Sequence, residues 1–304
     1  MNHHGLFLKL MHRSLPRNVL SVFENWFAKC FTCVKWNSVY STMYKLDCGI
    51  RQGGVLSPYM FACYIDDITR KVESLGIGCY IGLVCCSIFL YADDILLLAP
   101  SIAGLQCLLT VCEDELRMLD LAINTKKSVC TRIGPNCDVD CRCVITAVGT
   151  PLEWVDNLRY LGIFIVRAKS FRCCYDSAKK SFYRAFNAIY GKVGRSASEE
   201  VVLSLIKSKC LPCLLYGLDA CPVNKTEGRS INFPVTRVLM KIFNTSSNDV
   251  IEECQSFFNF KPVQSLVAER KLTFLRKYSV ISNVLCSCFS TAAKLEITML
   301  ELSN

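Results

Sequence analysis

The sequence predicts an α+β fold, with an antiparallel hairpin and packed helices in its first half and helices in its second. Three stretches carry this expectation. Residues 76–92 are uncharged and rich in β-branched and aromatic side chains, and a second apolar run follows them after an Asp-Asp pair. From Tyr59 onward, Phe61, Tyr64, Ile65 and Ile68 recur at helical spacing. In the second half Ala178, Phe182, Ala185, Phe186, Ile189 and Val193 form one apolar helical stripe.

The hairpin comes first. A membrane span needs about 20 apolar residues. Residues 76–92 fall short of that, contain Gly76, Gly78 and Gly82, and end at Asp93-Asp94, so strands describe the run better. Residues 80–84, 87–91 and 95–98 are expected to be three strands or strand halves, with Ala92-Asp93-Asp94 as the tight turn. An unpaired carboxylate is costly to bury, and at a turn both aspartates can leave the core. Adjacent carboxylates are tolerated best when they share a cation, and hard divalent ions such as Mg²⁺ take oxygen ligands. Two such ions about 3.5–4 Å apart can clamp the attacking and leaving oxygens of a phosphoryl transfer.

The helix after Tyr59 is entered through "GIRQGGVLSP", residues 49–58. Its glycine pair reads as a turn, Ser57 as the N-cap and Pro58 as the first helical residue. A glycine-rich entry to a helix N-terminus can approach phosphate closely. Asp66 and Asp67, later on this helix, read as solvated surface. Around the second-half stripe, Lys179, Lys180, Tyr183, Asn187 and Lys192 fall mostly on the other side, and Ser196 with Glu199 forms a capping-box pattern for the next helix.

Composition narrows the class. With 304 residues, 52% apolar and 20% charged, the chain can bury a sizeable core and is not a disordered sequence. Its start, "MNHHGLFLKLMHRSLP", scatters charge and histidine through the apolar part, unlike a secretory signal. The 21 cysteines are therefore read as reduced, small apolar residues in a reducing compartment. Cys30/Cys33, Cys210/Cys213 and Cys141/Cys143 are close pairs, but His3, His4 and His12 are the only histidines, and core packing is preferred to zinc.

The net charge of +9 is unevenly placed. Residues 1–152 hold 14 Lys and Arg against 13 Asp and Glu, whereas residues 153–304 hold 21 against 13. The stretch 159–195 alone carries nine basic residues and one acid, Asp176. A concentrated basic patch of this kind points to a polyanionic partner.

Taken together, the Gln-Gly…Leu-Ser-Pro element and the Tyr-Ala-Asp-Asp hairpin about 40 residues later resemble the fingerprint of reverse transcriptases, in particular those of non-LTR (LINE-type) retrotransposons. "LAINTKKS" (121–128) resembles the family's Asn-x-x-Lys motif, and "LRYLGIFI" (158–165) its primer-grip hairpin. "KCLPCLLYGLDA" (209–220) is similar to the helical segment downstream and looks LINE-like, which favours this family over intron maturases. The resemblance implies a palm with its primer-grip hairpin over 1–166 and a helical thumb with a C-terminal helical region over 167–304.

The roles it implies are as follows. Asp93 matches the metal-binding aspartate and Asp94 its partner, for Mg²⁺ or Mn²⁺. Tyr91 and Ala92 match positions beside the primer end, and Gln52 and Gly53 the nucleotide and template pocket. Lys127, with Lys126 as an alternative register, matches the lysine assisting pyrophosphate departure. Tyr160, Leu161 and Gly162 match the primer grip. A basic, tyrosine-bearing thumb face made by Lys179, Lys180, Tyr183, Lys192 and Arg195 would meet the duplex. The implied partners are an RNA template, a DNA primer and deoxynucleoside triphosphates, without a membrane. The implied location is intracellular, in nucleus and cytoplasm.

The chain departs from the family at its front. Family members carry an Asp-x-x-Lys-Ala-Phe-Asp element before a Val-Asn-His step, and here Met1 stands where that valine would be. The first metal-binding aspartate would lie roughly eight residues ahead of it. No Cys-Cys-His-Cys knuckle can be built from Cys286 and Cys288, since no histidine follows Cys254. The expectation is an RNA-directed DNA polymerase fragment, inactive alone. The alternative is a non-catalytic nucleic-acid-binding relic.

Overall fold

The computed structural model describes residues 1–194 and 196–302. The chain divides into two units, Met1–Val129 with Asp140–Glu153, and Cys130–Val139 with Trp154–Asn304. Of the expected site residues, Arg195 lies outside the described residues.

In the first unit, helix α1 (His3–His12) starts at Asn2, whose side-chain oxygen accepts from the N–H groups of His4 and Gly5 at 2.9 and 3.3 Å. Helix α2 (Arg17–Ala28) follows, and then the short strands β1 (Phe31–Thr32), β2 (Lys35–Trp36), β3 (Val39–Tyr40) and β4 (Tyr44–Lys45). Helix α3 spans Ser57–Ser74. Two antiparallel hairpins come next: β5 (Cys79–Ile81) with β6 (Val84–Cys86), and β7 (Ile88–Tyr91) with β8 (Asp94–Leu97). Helix α4 (Ile102–Met118) is capped by the Ser101 hydroxyl, which accepts from the Gly104 N–H at 3.1 Å.

This unit's core joins Leu6 and Leu10 of α1, Tyr64 and Ile68 of α3, and Leu108 and Cys112 of α4, all essentially solvent-free. Each large apolar side chain so buried contributes about 1.5–3 kcal/mol. The Tyr64 phenol stays paired inside: it donates to the Leu119 carbonyl at 2.7 Å and accepts from the Asn2 N–H at 3.2 Å. The hairpin β7–β8 rests on this core through Ile88, Leu90, Ile95 and Leu97.

Three local expectations need correcting here. Residues 80–84 are not one strand but the bend of the β5–β6 hairpin, because Gly82 takes φ +60° and leaves Leu83 exposed. The second turn is tighter than expected: Ala92 and Asp93 form it, and Asp94 already pairs with Tyr91 as the first residue of β8. The start of α3 also differs by one residue, since Ser57 is helical and Leu56 is the cap position. The Ser57 hydroxyl is turned back and donates to the Arg51 carbonyl at 2.7 Å.

Short strands β9 (Val129–Cys130) and β10 (Glu153–Trp154) mark where the chain leaves one unit and enters the other. In the second unit, β11 (Asn157–Tyr160), β12 (Ile163–Val166) and β13 (Cys173–Cys174) form an antiparallel sheet in that order. Helices α5 (Asp176–Val193) and α6 (Glu199–Leu205) follow. A π-helical turn, Ile206–Cys210, then leads into α7 (Leu211–Leu214). Pro212 cannot donate to the helical ladder, and just ahead of it the Leu211 N–H reaches back to the Ile206 carbonyl. The capping box expected at Ser196 is absent: α6 begins after Ser198, and the Ser196 hydroxyl donates to the Val193 carbonyl.

Helices α8 (Lys225–Ile242), α9 (Asn248–Phe257), α10 (Val263–Tyr278), α11 (Val284–Cys288) and α12 (Ser290–Leu302) complete the unit. Its core is the α5 stripe, with Phe182 and Phe186 buried against Leu203, Leu214, Val235 and Phe260. The mixture of helices and small antiparallel sheets agrees with the α+β expectation. Among the described residues no helix is long and apolar enough to cross a membrane.

Candidate active site

The Asp-Asp pair sits at the tip of β7–β8. Its register, Ile88↔Leu97 through Tyr91↔Asp94, puts Ala92 and Asp93 in a two-residue loop. Ala92 closes the loop at φ +51°, a left-handed conformation that side-chain-bearing residues rarely adopt. Tyr91, Ala92, Asp93 and Asp94 are all exposed, while the residues behind them are partly or fully buried. Among the described residues, neither carboxylate forms an ion pair with a Lys or Arg. The result is a pair of hard oxygen donors held out from an apolar support without a resident counter-charge, a donor set that suits a divalent cation.

The turn before α3 carries Gln52 and Gly53, both exposed. Gly53 adopts φ +78°, and Gly54 has no room for a side chain, because a Cβ there would lie 2.6 Å from the Ser57 Oγ. The Gly54 N–H donates to the Arg51 carbonyl at 3.2 Å, and Ser57 binds the same carbonyl through its hydroxyl. The glycine pair thus winds tightly onto the helix N-terminus while the Gln52 side chain stays accessible. Helix α3 in turn packs against β7, the strand leading to the aspartates.

Asn124 organises the segment carrying Lys126 and Lys127. Its side chain accepts from the Lys126 N–H at 3.2 Å, and its carbonyl accepts from the N–H groups of Lys127 and Ser128 at 3.0 Å. Both lysines are exposed. Asp66 and Asp67 turn out to fasten helices together: Arg13 donates to Asp66 at 2.7 Å and Lys9 to Asp67 at 2.6 Å, joining α1 to α3. The Lys9 hydrogen bond, helped by nearby cationic charge, holds the Asp67 carboxyl below its ordinary range.

In the second unit, Leu161 and Gly162 form the loop between β11 and β12, at φ +46° and +81°, with Tyr160 paired to Ile163 just before it. A cavity of about 570 Å³ opens beside this loop, walled in part by Arg159, Leu161, Gly162, Ser181 and Tyr216. On α5 the basic residues divide. Lys179 turns inward, paired with Asp176 at 2.7 Å and donating to the Ser230 hydroxyl at 2.8 Å. Tyr183 is half-buried against the core, edge-on to Phe182. Lys180 and Lys192 face solvent, and so does Arg184, one turn beyond Lys180. Sequence reading passed over Arg184, although its i+4 spacing from Lys180 places it on the same face.

The cysteines are all free thiols. Burial pushes the Cys112 thiol up to about 12 and the Cys210 thiol up to about 11, so both remain protonated packing groups. Among the described residues no group of three or more His, Cys, Asp or Glu gathers to hold a metal.

A family described as reverse transcriptase (RNA-dependent DNA polymerase) matches residues 1–165. The retrovirus-related Pol polyprotein from type-1 retrotransposable element R2 of Popillia japonica is 29% identical over 183 residues, covering 56% of this chain and 24% of that protein. The corresponding polyprotein from type-2 retrotransposable element R2DM of Drosophila melanogaster is 26% identical over 182 residues, covering 57% of this chain and 17% of that protein. The chain thus spans a quarter or less of the length of these relatives. With the family match covering more than half its residues, the chain belongs to the reverse transcriptase (RNA-dependent DNA polymerase) family.

Proposed function

We propose that the chain is part of an RNA-directed DNA polymerase of a retrotransposon, and that residues 1–304 by themselves do not extend a primer. The observation that carries this reading is the exposed Asp93–Asp94 pair at the tip of an apolar hairpin, without an ion-pairing Lys or Arg among the described residues. Asp93, with Asp94 beside it, would hold Mg²⁺ or Mn²⁺. When bound, such ions supply the two-metal clamp on the attacking and leaving oxygens of nucleotidyl transfer.

The chain's own groups would orient the reactants. Tyr91 and Ala92 would border the primer end, with Gln52 and Gly53 beside the incoming nucleotide and template. Lys127 would carry positive charge toward the departing pyrophosphate. Tyr160, Leu161 and Gly162 would hold the primer strand. Helix α5 would offer Lys180 and Lys192, with Arg184 between them, to the phosphates of a duplex. Residues 1–166 then act as palm and 167–304 as thumb and C-terminal helices, in nucleus and cytoplasm. Because the family pattern places a further metal-binding aspartate ahead of residue 1, these residues supply only part of the ligand set.

The test is primer extension by purified residues 1–304 on an RNA template annealed to a DNA primer, with Mg²⁺ and deoxynucleoside triphosphates, beside an Asp93→Ala control. Equal, background-level extension with measurable template binding is expected. Extension above the control would overturn the incomplete ligand set, and absence of template binding would overturn the nucleic-acid reading.

A further inference from the structure

Residues 31–45 form a two-stranded ribbon that the core does not account for. Phe31 pairs with Lys45 and Thr32 with Tyr44 at its base, and Lys35 pairs with Tyr40 and Trp36 with Val39 at its tip. Between these pairs the Ser41 N–H donates to the Val34 carbonyl, and the Val34 N–H donates to the Ser41 hydroxyl, both at 2.9 Å. Asn37 closes the tip at φ +52°. Every residue from 34 to 45 is exposed, with Trp36 at 78% and Tyr40 at 60%. A two-stranded ribbon alone in water is marginal, and clustered exposed apolar side chains mark an interaction site.

Charge decides what kind of partner fits. From residue 25 to residue 46 the chain carries Lys29, Lys35 and Lys45 and not one Asp or Glu. Lys45 has a carboxylate neighbour in Asp47 at 3.3 Å. The Lys35 ammonium lies 5.2 Å from the centroid of the Tyr40 ring, on one face of the tip, while Trp36 and Val39 occupy the other face. Aromatic rings flanked by lysines, in a stretch from 25 to 46 that contains no acid, suit a chain with stackable rings and negative linkers. A duplex hides its base faces, whereas a single strand offers them.

We propose that this ribbon binds an unpaired stretch of RNA that crosses its tip, with one base stacked on Trp36 on one face, another on Tyr40 on the other, and phosphate met by Lys35. The choice of RNA over DNA rests on the polymerase reading above. The aromatic and cationic chemistry does not.

The test uses residues 1–304 and a fluorescein-labelled oligouridylate of roughly 16 nucleotides, near the upper site size for such surfaces. Trp36→Ala with Tyr40→Ala is expected to weaken binding about tenfold or more, and Trp36→Phe with Tyr40→Phe to restore most of it. With Trp26→Phe and Trp154→Phe, Trp36 is the sole tryptophan, and its emission is expected to be quenched by the RNA. If the parent binds RNA but the alanine variant binds equally well and Trp36 is not quenched, the ribbon assignment falls and the nucleic-acid reading stands. If the parent binds no RNA, both fall. Tighter binding of the matching DNA strand, equal competition by duplex RNA, or loss of self-association in place of RNA binding would each overturn the proposal.

Discussion

The Tyr216 hydroxyl donates to the Leu161 carbonyl at 3.0 Å, tying the loop of the β11–β12 hairpin to the segment just after α7. The same ring covers Gly162, where an added Cβ would lie 3.2 Å from it. The hairpin loop is thus positioned by a residue 55 places along the chain. Tyr216→Phe removes the hydrogen bond and keeps the ring, and is expected to lower unfolding stability by about 0.5–1.5 kcal/mol in urea titration. Hydrogen exchange at the loop amides should accelerate in the variant.

Gly217 gives the sharper test of the same contact. It takes φ +74°, and a Cβ there would lie 2.0 Å from the Ile163 Cδ1. Gly217→Ala should therefore cost about 2 kcal/mol or more, from backbone strain and from displacing Ile163. Gly228, in α8, has nothing near its missing side chain. Gly228→Ala is expected to stabilise by about 0.5–1 kcal/mol, so the two substitutions should shift the denaturation midpoint in opposite directions.

The ion pair between Lys9 and Asp67 makes a pH-dependent contribution. The Asp67 carboxyl lies below its ordinary value of 3.8, chiefly because Lys9 donates to it. A carboxyl depressed in the folded state adds stability above its unfolded value, and that contribution is lost as pH falls through the folded value. Lys9→Met should thus destabilise the chain near neutral pH, with the difference from the parent shrinking below about pH 4. Asp67 is half-exposed, so solvent screening keeps the effect below about 1 kcal/mol.

Ala92 holds a left-handed conformation at the tip of the carboxylate hairpin. Glycine adopts that conformation without the steric cost carried by alanine, so Ala92→Gly is expected to stabilise the first unit by up to about 1 kcal/mol. Thermal denaturation reads the shift.

What could be read in the sequence was what local patterning specifies. The apolar runs around Asp93 and Asp94 predict a hairpin with an exposed polar tip, and the stripe through Phe182 and Phe186 predicts a helix buried on that side. Local patterning misleads where the chain contradicts it at one residue. Gly82 bends the run read as one strand over 80–84, and Ser198 takes the cap position that the Ser196–Glu199 spacing suggests. Contacts across long separations left no local signal. Asp66 and Asp67 look like solvated helix surface until α1 brings Arg13 and Lys9 to them, and Lys179 looks free until Ser230 receives it. The ribbon at 31–45 has strands of two residues each, too short for any periodicity to register.

The central claim is that the hairpin tip holds a divalent cation through Asp93 and Asp94. Titration of isotope-labelled residues 1–304 with Mn²⁺, followed by paramagnetic broadening of the backbone amides, tests it most directly. Broadening is expected to centre on Tyr91 through Ile95, to be displaced by Mg²⁺, and to vanish with Asp93→Asn and Asp94→Asn combined. Broadening centred elsewhere, or undiminished in that variant, would contradict the assignment of these carboxylates as the metal-holding pair.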